Sequence, residues 1–202
     1  MKNNRFGQAK VLDTQELDLI INYLPSNYHK FLARTLRNTG ARIGEVVQLK
    51  WRDFGEDQIL FPATITKRKL KSREIFISTS FYKWIKDFKL DWQIYKGRKP
   101  NPEDYVFYGR KEGSHITTRA FMLALDKALE RAKIIGGSSH SFRRTQLTQL
   151  HRKQVLYLPR SSSFLFSIII DNSHWLPLVG FFLPSWNTCI FNSGGDATGA
   201  TL

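Results

Sequence analysis

A mainly α-helical domain carrying one small antiparallel β-sheet, an α+β arrangement, is the fold class this sequence predicts. Three observations predict it: apolar residues recurring at helical spacing over most of residues 11–155, one cluster of strand formers between Gln58 and Ile77, and no internal repeat. Asp13 or Thr14 is a helix N-cap with Glu16 close behind. Leu17, Ile20, Ile21 and Leu24 then recur at helical spacing until Pro25 stops the run. A second helix begins near Ser26, passes through Tyr28, Phe31, Leu32 and Leu36, and ends at Thr39-Gly40, where glycine can take the left-handed cap conformation. A third, Ile43 to Leu49, carries the stripe Ile43, Val46, Val47 and Leu49 and gives way to the charged Lys50-Trp51-Arg52-Asp53.

Ile59, Phe61, Thr64 and Ile65, then Ile75 and Ile77, are strand formers on either side of the basic run Lys67 to Arg73, which predicts a hairpin with a basic tip. Helices resume at about Ser80 to Tyr95 and Thr117 to Ile134, with the Pro/Gly/Asn-rich stretch from Gly97 to Pro102 and a short extended piece, Tyr105 to Phe107, between them. Gly136-Gly137-Ser138-Ser139 reads as a flexible linker before a last helix from Ser141 to about Val155. After Tyr157 neither period persists.

The chain of 202 residues has a net charge of +14, with 31 Lys and Arg against 17 Asp and Glu. Only Arg160 among the basic residues, and Asp171 and Asp196 among the acidic ones, fall beyond residue 157, so the whole surplus lies upstream. Such a surplus favours a polyanionic partner, because each phosphate neutralised by Lys or Arg releases condensed counterions. The division expected is a basic arm (1–10), a core (11–157) and an atypical apolar tail foreign to the rest (158–202). The apolar runs of the tail are shorter than the roughly 20 residues a spanning helix needs; no membrane partner is expected, the alternative being a tail whose aromatic residues serve a membrane surface or a binding partner. The lone Cys189 and the polar, basic start of the chain point to a cytoplasmic, reducing location. His29, His115, His140, His151 and His174 are scattered and Cys189 has no ligand-spaced neighbour, so no metal site is expected.

Three local patterns carry chemistry. Ser139-His140-Ser141-Phe142-Arg143-Arg144-Thr145 opens a helix, and His140 and Arg143, three apart, project from one face beside the unpaired N–H groups of the helix start, which together make a phosphate socket. Asn38-Thr39-Gly40-Ala41-Arg42-Ile43-Gly44-Glu45 sets Arg42 just past a tight turn, where Glu45 can hold it and aim it at an anion. The hairpin tip carries Lys67, Arg68, Lys69, Lys71 and Arg73, able to enter a DNA groove and deliver a lysine to a phosphate as donor or general acid. Each pattern alone is common on ordinary helices and loops.

In their order and spacing, however, the three resemble the phage integrase or tyrosine recombinase family, whose pattern is a Thr-Gly-x-Arg-x-x-Glu box, a β-hairpin lysine and a His-x-x-Arg box. The resemblance spans roughly residues 11–155. It implies a tyrosine recombinase catalytic domain acting on double-stranded DNA by strand cleavage and rejoining through a 3′-phosphotyrosine. No cofactor and no small-molecule substrate are implied, and assembly of several copies on DNA is left open. By the same resemblance Arg42 and Arg143 grip the scissile phosphate and stabilise its developing charge, and His140 assists proton transfer. Lys67, or alternatively Lys69, protonates the leaving 5′-oxygen, while Arg68, Lys69, Lys71, Arg73 and Arg144 contact DNA.

Two departures stand out. Only about ten residues precede the first helix, where the family usually carries a DNA-clamping helical domain. Neither the family's later Leu-Gly-His-like box nor its nucleophilic tyrosine is recognisable. The seven tyrosines are Tyr23, Tyr28, Tyr82, Tyr95, Tyr105, Tyr108 and Tyr157. At 1.5 Å of rise per residue a continued helix carries Tyr157 on the order of 20 Å from Arg143, too far to share its phosphate. His174-Trp175 falls where the family's later His or Trp would, but Leu176-Pro177 follows and no tyrosine comes after. The expectation is a recombinase core without its nucleophile; the alternative is a non-catalytic DNA-binding or regulatory protein derived from an integrase.

Overall fold

The computed structural model describes residues 8–66 and 71–152. Lys67, Arg68 and Lys69, the boundary at residue 157 with Tyr157, and the whole apolar tail with His174-Trp175 lie outside the described residues. Within them the element order is α1 (Thr14–Tyr23), α2 (Asn27–Thr39), α3 (Ile43–Val46), β1 (Gln58–Phe61), β2 (Arg73–Phe76), α4 (Thr79–Lys96), α5 (Thr118–Arg131) and α6 (Ser139–Arg152). The mainly α fold with one two-stranded antiparallel sheet is therefore as expected.

Local chemistry explains the first two helices. Asp13 caps α1 by accepting from the Glu16 N–H at 2.7 Å while Glu16 accepts from the Asp13 N–H at 3.2 Å, so two otherwise orphaned donors are satisfied reciprocally. Leu24 is extended because Pro25 follows, and the helix cannot continue through it. Ser26 caps α2, and Gly40 closes it in the left-handed conformation at φ 57°. Helix α2 is the centre of the fold, with Leu32, Ala33, Thr35 and Leu36 fully buried and packing against α1, α3, α4 and α6. Phe31 on this helix stacks on Phe88 of α4 at 4.2 Å between ring centroids and lies 5.7 Å from Phe107.

The chain departs from expectation in four places. Helix α3 ends at Val46 rather than Leu49, because the Val106 N–H donates to the Leu49 carbonyl and Lys50 bridges Tyr105, drawing the chain into extended pairing. Thr64 and Ile65 lie in a 3-10 turn, Ala63–Ile65, not in the strand: Pro62 has no N–H to donate to the ladder, so β1 stops at Phe61. Helix α5 stops at Arg131 and Lys133 takes a left-handed conformation, φ 54°, so the expected run to Ile134 is broken. Finally, the Gly136–Ser138 stretch is a packed turn. A Cβ on Gly137 would lie 2.4 Å from Leu129 Cδ2, and Gly136 accepts a hydrogen bond from the Lys10 N–H at 3.0 Å. Helix α6 consequently starts at Ser139, two residues earlier than expected.

The strands pair Gln58 with Phe76, Ile59 with Ile75, Leu60 with Glu74 and Phe61 with Arg73. Ile59, Phe61 and Ile75 face the core. Gly40 joins this frame to α6: besides its positive φ, a Cβ there would stand 3.1 Å from Gln146 Cγ. Gly40→Ala is accordingly expected to lower stability by about 1–2 kcal/mol, read as a fall in the urea midpoint at unchanged slope.

Candidate functional site

Arg42 sits at the N-cap of α3 in extended conformation, immediately after the Gly40 turn. Its side chain donates from Nη1 to Glu45 Oε1 at 3.1 Å, and its backbone N–H donates to Glu45 Oε2 at 3.2 Å. Arg73, at the start of β2, donates from Nη2 to the same Oε2 at 2.5 Å. The Glu45 side chain is only 4 % exposed, against 41 % for Arg42 and 31 % for Arg73, so the carboxylate is the buried hub of two partly exposed cations. Burial pushes the Glu45 carboxyl up, but the charge of Arg73 and the hydrogen bonds from Arg42 and Arg73 outweigh it and hold the group below the usual carboxylate range.

Arg143 approaches from α6 and donates from Nη1 to the Gly40 carbonyl at 2.6 Å. Burial, and then the neighbouring charges of Arg42 and Arg73, lower its pKa, with Glu45 opposing them. Three guanidiniums thus gather around one carboxylate, and two positive charges are left without a compensating partner inside the cluster. Like charges brought together in this way favour an anion between them, and guanidiniums present forked donors that match phosphate oxygens.

His140 is exposed in the first turn of α6. It lines an open groove of about 440 Å³ together with Arg143, Arg144, Leu147, His151 and Ala9. Arg144, expected on DNA, donates from Nη1 to the Ala9 carbonyl at 2.7 Å. With the bond from the Leu12 N–H to Thr145 Oγ1 at 2.8 Å, it ties the segment entering α1 to the helix that bears His140 and Arg143. Lys71 is exposed at the foot of the hairpin. Arg42, Arg73 and Arg143 are therefore brought to one place, His140 stands beside Arg143 on α6, and Arg144 lines the same groove while bonding the Ala9 carbonyl through Nη1. Lys67, Arg68 and Lys69 lie outside the described residues.

The inward role of Arg73 had a signal in the sequence. Alternation in β2 puts Arg73 on the face of Ile75 and Ile77, both buried, so a charge on that face needs a partner inside the domain. The Gly40 carbonyl as an anchor for Arg143 had none, because no side chain announces it. Among the described residues no group of three or more His, Cys, Asp or Glu is placed to hold a metal, and no helix is long and apolar enough to cross a membrane.

The fold is that of tyrosine recombinase catalytic domains. A XerA recombinase matches with TM-score 0.58 at 20 % identity, covering 71 % of this chain and 51 % of that one. A XerH site-specific recombinase bound to its difH substrate matches with TM-score 0.58 at 21 % identity over 73 % and 44 %. The Tn1549 transposon integrase, in complex with transposon right-end DNA, matches with TM-score 0.57 at 17 % identity over 75 % and 56 %. The phage integrase family model matches residues 10–156, and the chain belongs to that family. Transposase A of transposon Tn554 from Staphylococcus aureus is 29 % identical over 156 residues, 72 % of this chain and 42 % of the transposase. The chain therefore spans less than half the length of these curated relatives.

Proposed function

We propose that this chain is the DNA-handling core of a site-specific recombinase, in which Arg42 and Arg143 grip a backbone phosphate of double-stranded DNA. The single observation that carries this reading is the gathering of Arg42, Arg73 and Arg143 around the buried Glu45, three guanidiniums to one carboxylate, which leaves the cluster with surplus positive charge to meet an anion. The phosphate's non-bridging oxygens would lie between Arg42 and Arg143, where fixed guanidiniums stabilise the charge that grows as phosphorus becomes five-coordinate. His140, exposed on the same helix, assists proton transfer. Lys67 or Lys69 gives its proton to the leaving 5′-oxygen as the phosphorus–oxygen bond breaks. Arg68, Lys69 and Lys71 hold the flanking backbone, while Arg73 and Arg144 already have partners within the protein.

In the family's reaction a tyrosine oxygen attacks phosphorus as the 5′-oxygen departs, leaving a 3′-phosphotyrosine. Within these 202 residues no tyrosine follows Tyr157. The reading is therefore DNA binding without a covalent link formed by this chain. The test is incubation with a nicked suicide duplex, scored for complex and for adduct in denaturing gels. A salt-sensitive complex without an adduct is expected. An adduct mapped to Tyr157 would overturn the inactive reading. Unaltered affinity and salt dependence in Arg42→Ala and Arg143→Ala would favour instead a regulatory DNA-binding protein that uses its basic surface alone.

A further inference from the structure

Arg73 does not behave as a free cation of the hairpin. Its guanidinium lies 4.7 Å from the centroid of the Phe61 ring, its strand partner, and that ring is fully buried. Its Nη2 is held by Glu45 Oε2 at 2.5 Å, and its Nε is buried with no hydrogen-bond partner. Glu45 Oε2 is the oxygen that also accepts from the Arg42 backbone N–H, while Oε1 accepts from the Arg42 guanidinium. One carboxylate therefore stands between the strand leaving the hairpin and the arginine at the N-cap of α3.

We infer that Arg73 is a positioning residue that acts through Glu45 to fix Arg42, and so links the leg of the basic hairpin to the phosphate grip. The inference rests on the phosphate-gripping reading of Arg42. Without Arg73, Glu45 keeps a single cationic partner and loses the charge that offsets its burial. Arg42 then hangs from a carboxylate held only by the Arg42 backbone N–H, without its tie to β2. A side chain that is 41 % exposed has rotamers to wander through once its anchor moves. The chain between Phe61 and Arg73 carries Lys67 and Lys69, so the same clamp sets where the hairpin's leg stands relative to Arg42.

A direct DNA contact by Arg73 predicts a different outcome, and the salt dependence of binding separates the two. The full chain is titrated with random-sequence double-stranded DNA at several salt concentrations, and the log-log slope is compared among variants whose far-UV circular dichroism matches the parent. Arg42→Ala should reduce the slope by about 0.9, the value of one phosphate contact. Arg73→Met, which preserves packing on Phe61, should reduce it by no more than that. The Arg42→Ala/Arg73→Met double variant should lose about 0.9 in total, because the relay has nothing left to position. Arg73→Gln, neutral yet able to donate to Glu45, should recover much of the parent slope, which neither a direct contact nor a merely structural role would produce. A loss of about 1.8 in the double variant, or a Gln variant no better than Met, overturns the inference while leaving Arg42 as a phosphate ligand. An Arg42→Ala slope equal to the parent's removes the reading beneath it and the inference together. Should Arg73→Met fail to fold, the Gln variant in both backgrounds decides: a retained slope supports the relay, and a loss of about 0.9 in each refutes it.

Discussion

Phe31→Ala is expected to lower the free energy of unfolding by about 3–5 kcal/mol, a large share of the roughly 5–15 kcal/mol that holds a domain of this kind together. Phe31 is 2 % exposed, at the point where α2, α4 and the extended piece around Phe107 meet. Its ring stacks on Phe88 at 4.2 Å with 15° between planes, and it lies 6.0 Å from Phe81 and 5.7 Å from Phe107. Truncation removes the central ring of that group and leaves a cavity that three surrounding elements, each fixed elsewhere, cannot close. Phe31→Leu, which keeps most of the volume, should cost under about 1.5 kcal/mol. Urea unfolding followed by circular dichroism measures both, and a Phe31→Ala loss below about 1 kcal/mol would mean that the aromatic cluster is not the keystone of the core. The consequence reaches the site, because Phe31 and the Gly40 turn that receives Arg143 belong to one helix and its cap.

Much of this frame was legible in the sequence wherever the controlling interaction is local. Asp13, Ser26 and Gly40 announce the bounds of α1 and α2 because caps and left-handed closures act within four residues of themselves. The misread bounds share the opposite cause. Leu49 looks helical in an apolar stripe, yet its carbonyl is taken by Val106, a partner more than fifty residues away in the chain. Gly136-Gly137 looks free by composition, whereas Leu129 occupies the space a side chain would need. Thr64 and Ile65 have strand propensity, but Pro62 ahead of them has no donor for the ladder, and the chain turns instead.

The site divides along the same line. Arg42, Glu45, His140 and Arg143 are legible as two short boxes, because their spacing within a helix start is itself the geometry. How those boxes meet is not legible, since it depends on α2 and α6 packing so that Arg143 reaches the carbonyl of a glycine. Arg73 and Arg144 also have partners that charge counting does not show. Both add to the basic surplus, yet one is turned onto Glu45 and the other onto the Ala9 carbonyl.

Glu45 makes the site sensitive to acid, in a direction fixed by the charge of Arg73 and then by its hydrogen bonds. Its carboxyl titrates below the ordinary value of 4.5 in the folded chain, because Arg73 and the donors of Arg42 outweigh the effect of burial. A carboxyl depressed in this way contributes stability that is complete above the unfolded value and is lost as pH falls through the folded one. Glu45→Gln should therefore cost about 1–3 kcal/mol at pH 7, the range of hydrogen bonds to a charged group reduced for the partial exposure of both arginines. The deficit should persist down to about pH 5 and shrink as pH falls through and below 4.5. Referring each measurement to the Gln variant cancels the other acids of the surface, among them Glu103 and Asp104, whose carboxyls are also held low by their cationic partners. Chemical denaturation at successive pH values reads the difference directly. A gap between parent and variant that widened on acidification would mean that burial dominates the Glu45 carboxyl, and that it does not hold Arg42 and Arg73 as a charged group.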